Sequence, residues 1–298
     1  MTNKLPILNI LCGVPGSGKS TYAKLLESEG FKVLSSDAFR QCFYGNENDQ
    51  SHNGIVFECL YKVAVDLINN GESVVIDATN INIKTRRKAL EHFKHCDCIK
   101  VCTVICTPPM GIKINDANRE RSVGTDVIDK YIASFEIPMK EEGFDYIDFY
   151  YSKKDVNALE NLELYLCDFA LYYDQNNEHH SHTLGEHCLI ASNLYIADNH
   201  NYDKNIADAL LYHDIGKPYT MTFDENKVSH YFGHANYGAY ICVCSQQFRL
   251  GKLSRESVFL INHHMKPYSE FNDKSKKLFG EEIWKKLEIV HKYDKESH

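Results

Sequence analysis

The stretch Gly13-Val-Pro-Gly16-Ser17-Gly18-Lys19-Ser20-Thr21 places glycines where a backbone can curl its amides around a phosphate chain, with a lysine and hydroxyls directly behind them. In this pattern the lysine meets the β- and γ-phosphates, the first hydroxyl serves a Mg²⁺ ion, and the dipole of the following helix favours the anion. A nucleotide is the implied ligand, but the loop alone does not name the reaction. Asp37 and Arg40 stand one helical turn apart and share a face. The carboxylate could take a proton from an acceptor hydroxyl, and the guanidinium could hold a phosphate of the acceptor; the alternative is a helix-capping Asp with a solvated Arg. Asp77-Ala-Thr79-Asn80 closes an apolar run with a carboxylate suited to the water shell of Mg²⁺. Lys84, Arg86, Arg87 and Lys88 follow it, and for Lys84 and Lys88 a solvated helix face is expected. Arg119 and Arg121 lie in a polar stretch that reads as a lid bringing a guanidinium to a transferring phosphoryl group, with surface ion pairs as the alternative.

The second half offers different chemistry. His213-Asp214 ends an apolar helical pattern, and His187, His234, His264 and Asp294 accompany it. Mixed imidazole and carboxylate ligands with open positions suit Mn, Fe, Co, Ni or Zn and hydrolysis, whereas a closed structural zinc site would use thiolates. A frayed helix end at Asp294 would loosen such a site. His179, His180 and His182 read as exposed loop residues, His230 as a residue of the rim, and His263 and His298 carry no assigned role.

Elements must position these groups. Apolar runs at 7–12, 31–34, 73–76, 99–105 and 144–151 predict strands, and helical spacings separate them, including Ile55, Val56, Cys59, Leu60, Val63 and Leu67. Strands alternating with helices predict a parallel α/β sheet covered on both faces. After the polar break Ser152-Lys-Lys-Asp155 the spacing becomes helical throughout, with helices expected near 156–174, 184–197, 204–213, 235–249, 255–264 and 279–294. The expected division is therefore 1–152, α/β, and 153–298, all-α.

A chain of 298 residues is long enough for two domains with real cores. Its 43% hydrophobic and 25% charged composition excludes wholesale disorder and fibrous repeats. A net charge of −8 counts against a protein that coats duplex DNA while leaving room for a local basic cleft. The eleven cysteines are spread along the chain and read as reduced, mostly buried thiols. No signal peptide or membrane span is evident, so a cytoplasmic protein is expected.

In order, GVPGSGKST, SSDAFR, DATNIN with TRR, NRERSVGTDVIDKYIASFEIP and EEGFDYI resemble the polynucleotide 5′-kinase branch of the P-loop phosphotransferases over residues 7–150. The resemblance implies that Asp37 is the general base, that Arg40 holds the acceptor phosphate, and that Gly13, Gly16, Ser17, Gly18, Lys19, Ser20 and Thr21 meet ATP or another NTP with Mg²⁺. It also implies a lid arginine on the NTP; Gly124 stands where relatives often have Pro, which leaves Arg119 and Arg121 both open. A looser match makes Thr79, Asn80, Arg86 and Arg87 part of the acceptor lining. SHTLGEHCLIAS, YHDIGKP, HYFGHANYGAY, INHHMKPY and KYDK resemble the HD superfamily of metal-dependent phosphohydrolases over roughly 180–298. That resemblance implies one metal on His187, His213, Asp214 and Asp294 and a second on Asp214, His234 and His264, most simply Mn²⁺. Lys217 would neutralise the phosphate.

A kinase and a phosphohydrolase working on one phosphate would waste NTP, whereas on opposite ends of a broken strand they cooperate. The expected function is RNA or DNA end healing: a 5′-OH receives phosphate, a 2′,3′-cyclic or 2′/3′-phosphate is removed, and a ligase is the pathway partner. Kinase–HD fusions of this kind are known as a family, which the chain resembles in kinase-first order. An oligomer is compatible with this reading. The alternatives are a small-metabolite kinase fused to an HD nucleotidase, and an NTP sensor regulating an HD hydrolase.

Overall fold

The computed structural model describes residues 5–175, 182–268 and 273–297. His179, His180 and His298 lie outside the described residues. Two compact units are present: one holds residues 1–107, 112–123 and 138–152, the other residues 108–111, 124–137 and 153–298.

In the first unit, strands β1 (Ile7–Cys12), β2 (Lys32–Ser35), β3 (Val74–Asp77), β4 (Ile99–Ile105) and β5 (Tyr146–Tyr150) form one sheet in the order β2-β3-β1-β4-β5. Every pairing is parallel. Both faces of the central β1 are covered, which is why Leu8, Ile10, Leu11 and Cys12 run without a polar alternation and are fully buried. β1 pairs with β3 on one side (Ile10↔Ile76) and β4 on the other (Cys12↔Val104), so the Gly13–Ser20 loop, Asp77 and Thr107 all emerge at the carboxyl ends of adjacent strands. Ligands bind parallel sheets at that edge.

Arg86 departs from its expected place in an acceptor lining. Its side chain is fully buried, donating through Nε and Nη2 to the two Glu142 oxygens at 2.8 Å each and through Nη1 to the Asn80 carbonyl at 3.2 Å. Burial works against its charge, but Glu142 and Cys12 outweigh that and raise its pKa. Glu142 also accepts from the Met139 amide at 3.0 Å. The Asn80 amide donates to the Leu11 carbonyl (2.9 Å), and the Gly13 amide donates to the Thr79 carbonyl (3.0 Å). The pair thus braces the loop after β3 against the start of the phosphate loop, and Thr79 and Asn80 belong to that brace. Lys84, Arg87 and Lys88 are exposed.

The second unit is predominantly helical, with one short hairpin among the described residues, of β6 (Thr222–Phe223) and β7 (Ser229–His230). Its main helices are Leu184–Asp198, Lys204–Tyr212, His234–Val243, Arg255–His263 and Glu281–Glu296. The expected helix 156–174 is broken into Lys153–Val156, Leu162–Asp168 and the single turn Ala170–Tyr172. Asn161 is the reason: its side chain accepts from the Glu163 and Leu164 amides and starts a new helix, while Glu160 pairs in strand-like fashion with Ser245. Ser245 likewise interrupts the expected helix 235–249, because its hydroxyl accepts from the Phe248 amide and caps the separate turn Gln246–Arg249. All eleven cysteines are free and most are buried. Among the described residues no helix is long and apolar enough to cross a membrane.

The buried ion pair generates a prediction. Arg86→Met leaves the Glu142 carboxylate buried without its partner and lowers stability by about 3–5 kcal/mol, and the double variant Arg86→Met/Glu142→Leu recovers most of that loss. Chemical denaturation measures both, and a double variant as unstable as the single one contradicts the assignment.

Candidate functional site

In the first unit the phosphate loop turns through left-handed glycines, Gly16 (φ 82°) and Gly18 (φ 93°), a conformation that a side chain would strain. Thr107 Oγ1 donates to the Ser17 carbonyl (2.9 Å) and Asn115 Nδ2 to the Gly16 carbonyl (3.0 Å), which fixes the loop from outside. Lys19 opens the helix Lys19–Ser28 and donates to the Val14 carbonyl at 2.9 Å, while Ser20 and Thr21 face solvent. Burial pulls the Lys19 pKa down and Arg119 adds to the effect, while Asp77 and Asp37 push it up. Asp37, Asp77 and Arg119 therefore lie close enough to the loop lysine to act on its charge.

Ser35, not Asp37, caps the helix Ser36–Tyr44, accepting from the Ala38 amide. Asp37 is left with a half-exposed side chain, and Arg40 is buried beside it at 2.5 Å. Asn53 Oδ1 takes both the Nε and Nη2 of Arg40 (3.1 and 2.7 Å), so the guanidinium is held in one orientation. The two lid arginines differ. Arg121 pairs with Glu47 at 2.9 Å, whereas Arg119 is exposed, 3.9 Å from Asp116, and is the one that acts on Lys19.

In the second unit six buried side chains converge. Ligand-type atoms of His187, His213, Asp214 and Asp294 lie within 4.8 Å of one another, and so do those of Asp214, His234 and His264. The helices deliver them by a repeated device. His213 and His264 follow the ends of two helices, His234 opens a third, and each ring bonds through Nδ1 to the carbonyl three residues earlier: Leu210 (2.8 Å), Ile261 (2.8 Å) and Tyr231 (2.7 Å). A carbonyl only accepts, so Nδ1 carries a proton and Nε2 points into the cluster, where its lone pair serves as a ligand whenever that nitrogen is unprotonated. His187 is oriented instead by Ser297, whose hydroxyl lies 3.0 Å from its Nδ1. The same serine is buried and its hydroxyl donates to the Asp294 carbonyl at 2.7 Å, which ties down the end of the helix that carries Asp294.

The Nε2 atoms of His187 and His213 are 3.1 Å apart and those of His234 and His264 are 3.2 Å apart. Lone pairs at that separation repel unless a proton or a metal lies between them, so the donor set fits a cation. Burial opposes charge on Asp214, yet His213 and Lys217 outweigh it and hold the carboxyl well below the usual range. Asp294 is lowered in the same way, burial being overcome by His213 and His187. For His213 burial is outweighed by Asp214, Cys188 and Asp294, which keep its pKa well above the ordinary imidazole value. Burial, with His213 and His234 adding, depresses His264 to about 3. Lys217 is buried, 2.6 Å from Asp214 and 2.7 Å from the side-chain oxygen of Gln175.

Gly216 sets the spacing of the whole cluster. A Cβ there would fall 2.1 Å from the His234 carbonyl oxygen and 2.6 Å from the Gly238 nitrogen, so only glycine lets the His213-Asp214 turn approach the helix that begins at His234. His263 is outside the cluster, packed between Phe259 and Phe279, and His230 is partly exposed on β7 beside Asp224. His182 is half-buried rather than exposed, and its carbonyl accepts from Gln175 Nε2 (3.2 Å). Tyr268, Gln175, Ser297 and Asn53 were not singled out from the sequence. Tyr268 donates to Asp294 Oδ2 at 2.8 Å, and its place four residues after His264 is the one signal that could have marked it.

Residues 8–138 match the family model described as an AAA domain. The first unit is a parallel α/β domain of P-loop kinase-like fold. The chain is similar to Transcription factor bHLH140 of Arabidopsis thaliana, 28% identical over 162 residues, and it spans only 17% of that protein while 52% of its own length is covered. Among solved structures it is similar to a chain of the Pnkp1/Rnl/Hen1 RNA repair complex (20% identity, 44% of each chain, TM-score 0.40). It is also similar to the Mycobacterium tuberculosis APS kinase CysC in complex with AMPPNP and APS (19% identity, 53% of this chain and 96% of that one, TM-score 0.37).

Two outcomes are expected. The His213 proton is present below its raised pKa and lost above it, and a metal needs the same Nε2 lone pair, so Mn²⁺ binding at pH 7 releases protons and tightens as pH rises towards that pKa. Calorimetry in two buffers of different ionisation enthalpy checks this; equal heats would show that no proton is displaced. Gly216→Ala pushes apart the turn and the helix, lowering stability by about 1–3 kcal/mol and reducing the Mn²⁺ bound per chain, as thermal melting and metal analysis would read.

Proposed function

We propose that the protein processes broken polynucleotide ends with two activities, a 5′-hydroxyl kinase in the first unit and a metal-dependent phosphohydrolase in the second. One observation carries the reading: a single chain holds both a phosphate loop whose lysine is influenced by Asp37, Asp77 and Arg119, and a buried six-residue cluster whose two donor groups share Asp214.

In the kinase unit the loop amides and Lys19 hold the NTP phosphates, and Ser20 and Asp77 would hold Mg²⁺. Arg40, fixed by Asn53, grips the acceptor phosphate, and Asp37 takes the proton of the 5′-hydroxyl as its oxygen bonds to the γ-phosphorus. Arg119 meets the charge on the transferring group. An NTP sensor needs no Asp37–Arg40 unit, which supports kinase over sensor.

In the second unit, which we read as an HD-type phosphohydrolase domain, His187, His213, Asp214 and Asp294 would hold one metal and Asp214, His234 and His264 another. Bound divalent metal would supply a Lewis acid for the phosphoryl oxygens and water acidified for attack on phosphorus. The protein's own part is to orient each imidazole through its Nδ1 bond and to place the Lys217 ammonium beside Asp214. Removal of a 2′,3′-cyclic or 3′-phosphate leaves the hydroxyl that a ligase needs.

The test uses an RNA with a 5′-OH and a 2′,3′-cyclic phosphate, with γ-labelled ATP, Mg²⁺ and Mn²⁺. The wild-type chain converts both ends. Asp37→Ala lowers 5′-phosphorylation by about 10²–10⁴-fold and spares hydrolysis, and His213→Ala does the reverse. Loss of both activities in either folded variant, or labelling of nucleosides in preference to oligonucleotides, contradicts the reading.

A further inference from the structure

The cluster is closed on most sides. His187, His213, Asp214, His264 and Asp294 are at most 5% exposed, and His234, at 8%, is the most open of the six. His234 also lines a cavity of about 420 Å³, whose wall includes Phe232, Asn236, Met265 and Lys266. That volume lies in the range of small-ligand sites. A phosphate ester entering the cluster on this side would leave the rest of its molecule in the cavity.

The lining has the chemistry of a nucleoside seat. Phe232 is 80% exposed, and its ring stands nearly parallel to that of His230 (5.7 Å between centroids, 15° between planes). Its path is fixed by Gly233, at φ 83°, where a Cβ would strike Ala133 at 2.9 Å. An exposed aromatic face at the cavity wall is what a stacking platform requires. Asn236 uses its Oδ1 to accept from Asn262 Nδ2 (3.1 Å), and Asn262 is itself locked by the Phe135 carbonyl (3.0 Å) and the Ile137 amide (2.7 Å). The Asn236 Nδ2 therefore has a set orientation, and it has no partner among the described residues, which leaves a donor for a base or sugar acceptor. Lys266 forms no ion pair among the described residues and supplies a cation for the next phosphate of a strand.

We propose that this cavity binds the terminal nucleoside of the strand whose 3′-phosphate the cluster receives, with Phe232 stacking on the base, Asn236 donating to it and Lys266 meeting the adjoining phosphate. The assignment rests on the phosphohydrolase reading of the cluster, and it makes the second unit selective for nucleotide esters over simple phosphate esters.

Two short RNAs with 3′-phosphates test it, both blocked with a dye at the 5′ end, one ending in adenosine and the other in an abasic residue. Anisotropy titrations of the full chain without metal are expected to show about tenfold tighter binding of the adenosine strand. Phe232→Ala is expected to abolish that preference, and Lys266→Ala to weaken both strands alike and flatten the salt dependence. Equal affinities in the wild type, or a preference that survives Phe232→Ala, overturn the cavity assignment. Hydrolysis of the same strands with Mn²⁺ separates it from the parent reading: a base preference in binding with neither strand hydrolysed overturns the phosphohydrolase reading and keeps the cavity as a nucleoside site, whereas equal hydrolysis of both strands overturns the cavity assignment alone.

Discussion

The second unit is organised around one buried carboxylate. Asp214 Oδ2 lies 2.6 Å from Lys217, 3.3 Å from His213 and 3.5 Å from His187, while Oδ1 lies 3.2 Å from His234 and 3.8 Å from His264. A carboxylate taken out of water is stable only if positive charge surrounds it on both sides. One lysine meets part of that need, and His213, whose proton is held by Asp214, adds to it. The pairing that would serve a metal is therefore also what lets this cluster be buried. Four helices, from distant parts of the chain, must end or begin within a few ångströms of one oxygen pair, and Gly216 against Gly238 is the close approach that permits it.

The first unit buries charge for a different purpose. Arg86 and Glu142 satisfy each other with two bonds, and further bonds tie the pair to the Asn80 carbonyl, the Cys12 sulfur and the Met139 amide. Paired in this way, the charges specify where two loops sit. Lys19 is the contrasting case: it keeps one bond, to Val14, while burial and Arg119 lower its pKa. A cation that is partly desolvated and under-paired gains most when a polyphosphate arrives, which is the expected condition of a binding lysine.

Most of the α/β layer was legible in the sequence because each strand is an apolar run bounded by polar or glycine residues, and β1, β3 and β4 lie within a residue of where those runs place them. The six cluster residues were legible for a related reason: a histidine or aspartate at the edge of an apolar helical pattern is conspicuous. The rest depended on partners far along the chain. Arg86 sits in a basic cluster and was expected in an acceptor lining, whereas its burial follows from a glutamate 56 residues away. Tyr268 and Ser297 are ordinary residue types whose meaning comes from Asp294 and His187. The breaks at Asn161 and Ser245 were missed because helical spacing continues across both, and only the side-chain caps reveal that the backbone has restarted.

The chain's charge of −8 is compatible with a polyanionic substrate once the distribution of its cations is considered. Proteins that coat nucleic acid spread many lysines and arginines over a face, since affinity comes from displacing many counterions. A protein acting on ends meets only the terminal phosphates, and a few cations held in place are enough. On the proposed reading, Lys19, Arg40 and Arg119 would be such a set in the first unit, with Arg40 fixed by Asp37 and Asn53. Lys217 and Lys266 would be the corresponding set in the second. On the proposed end-processing reading, net acidity would favour selectivity: it would weaken non-specific attraction to the interior of a strand and leave the ends, where local positive charge and shape act together, as the places that bind.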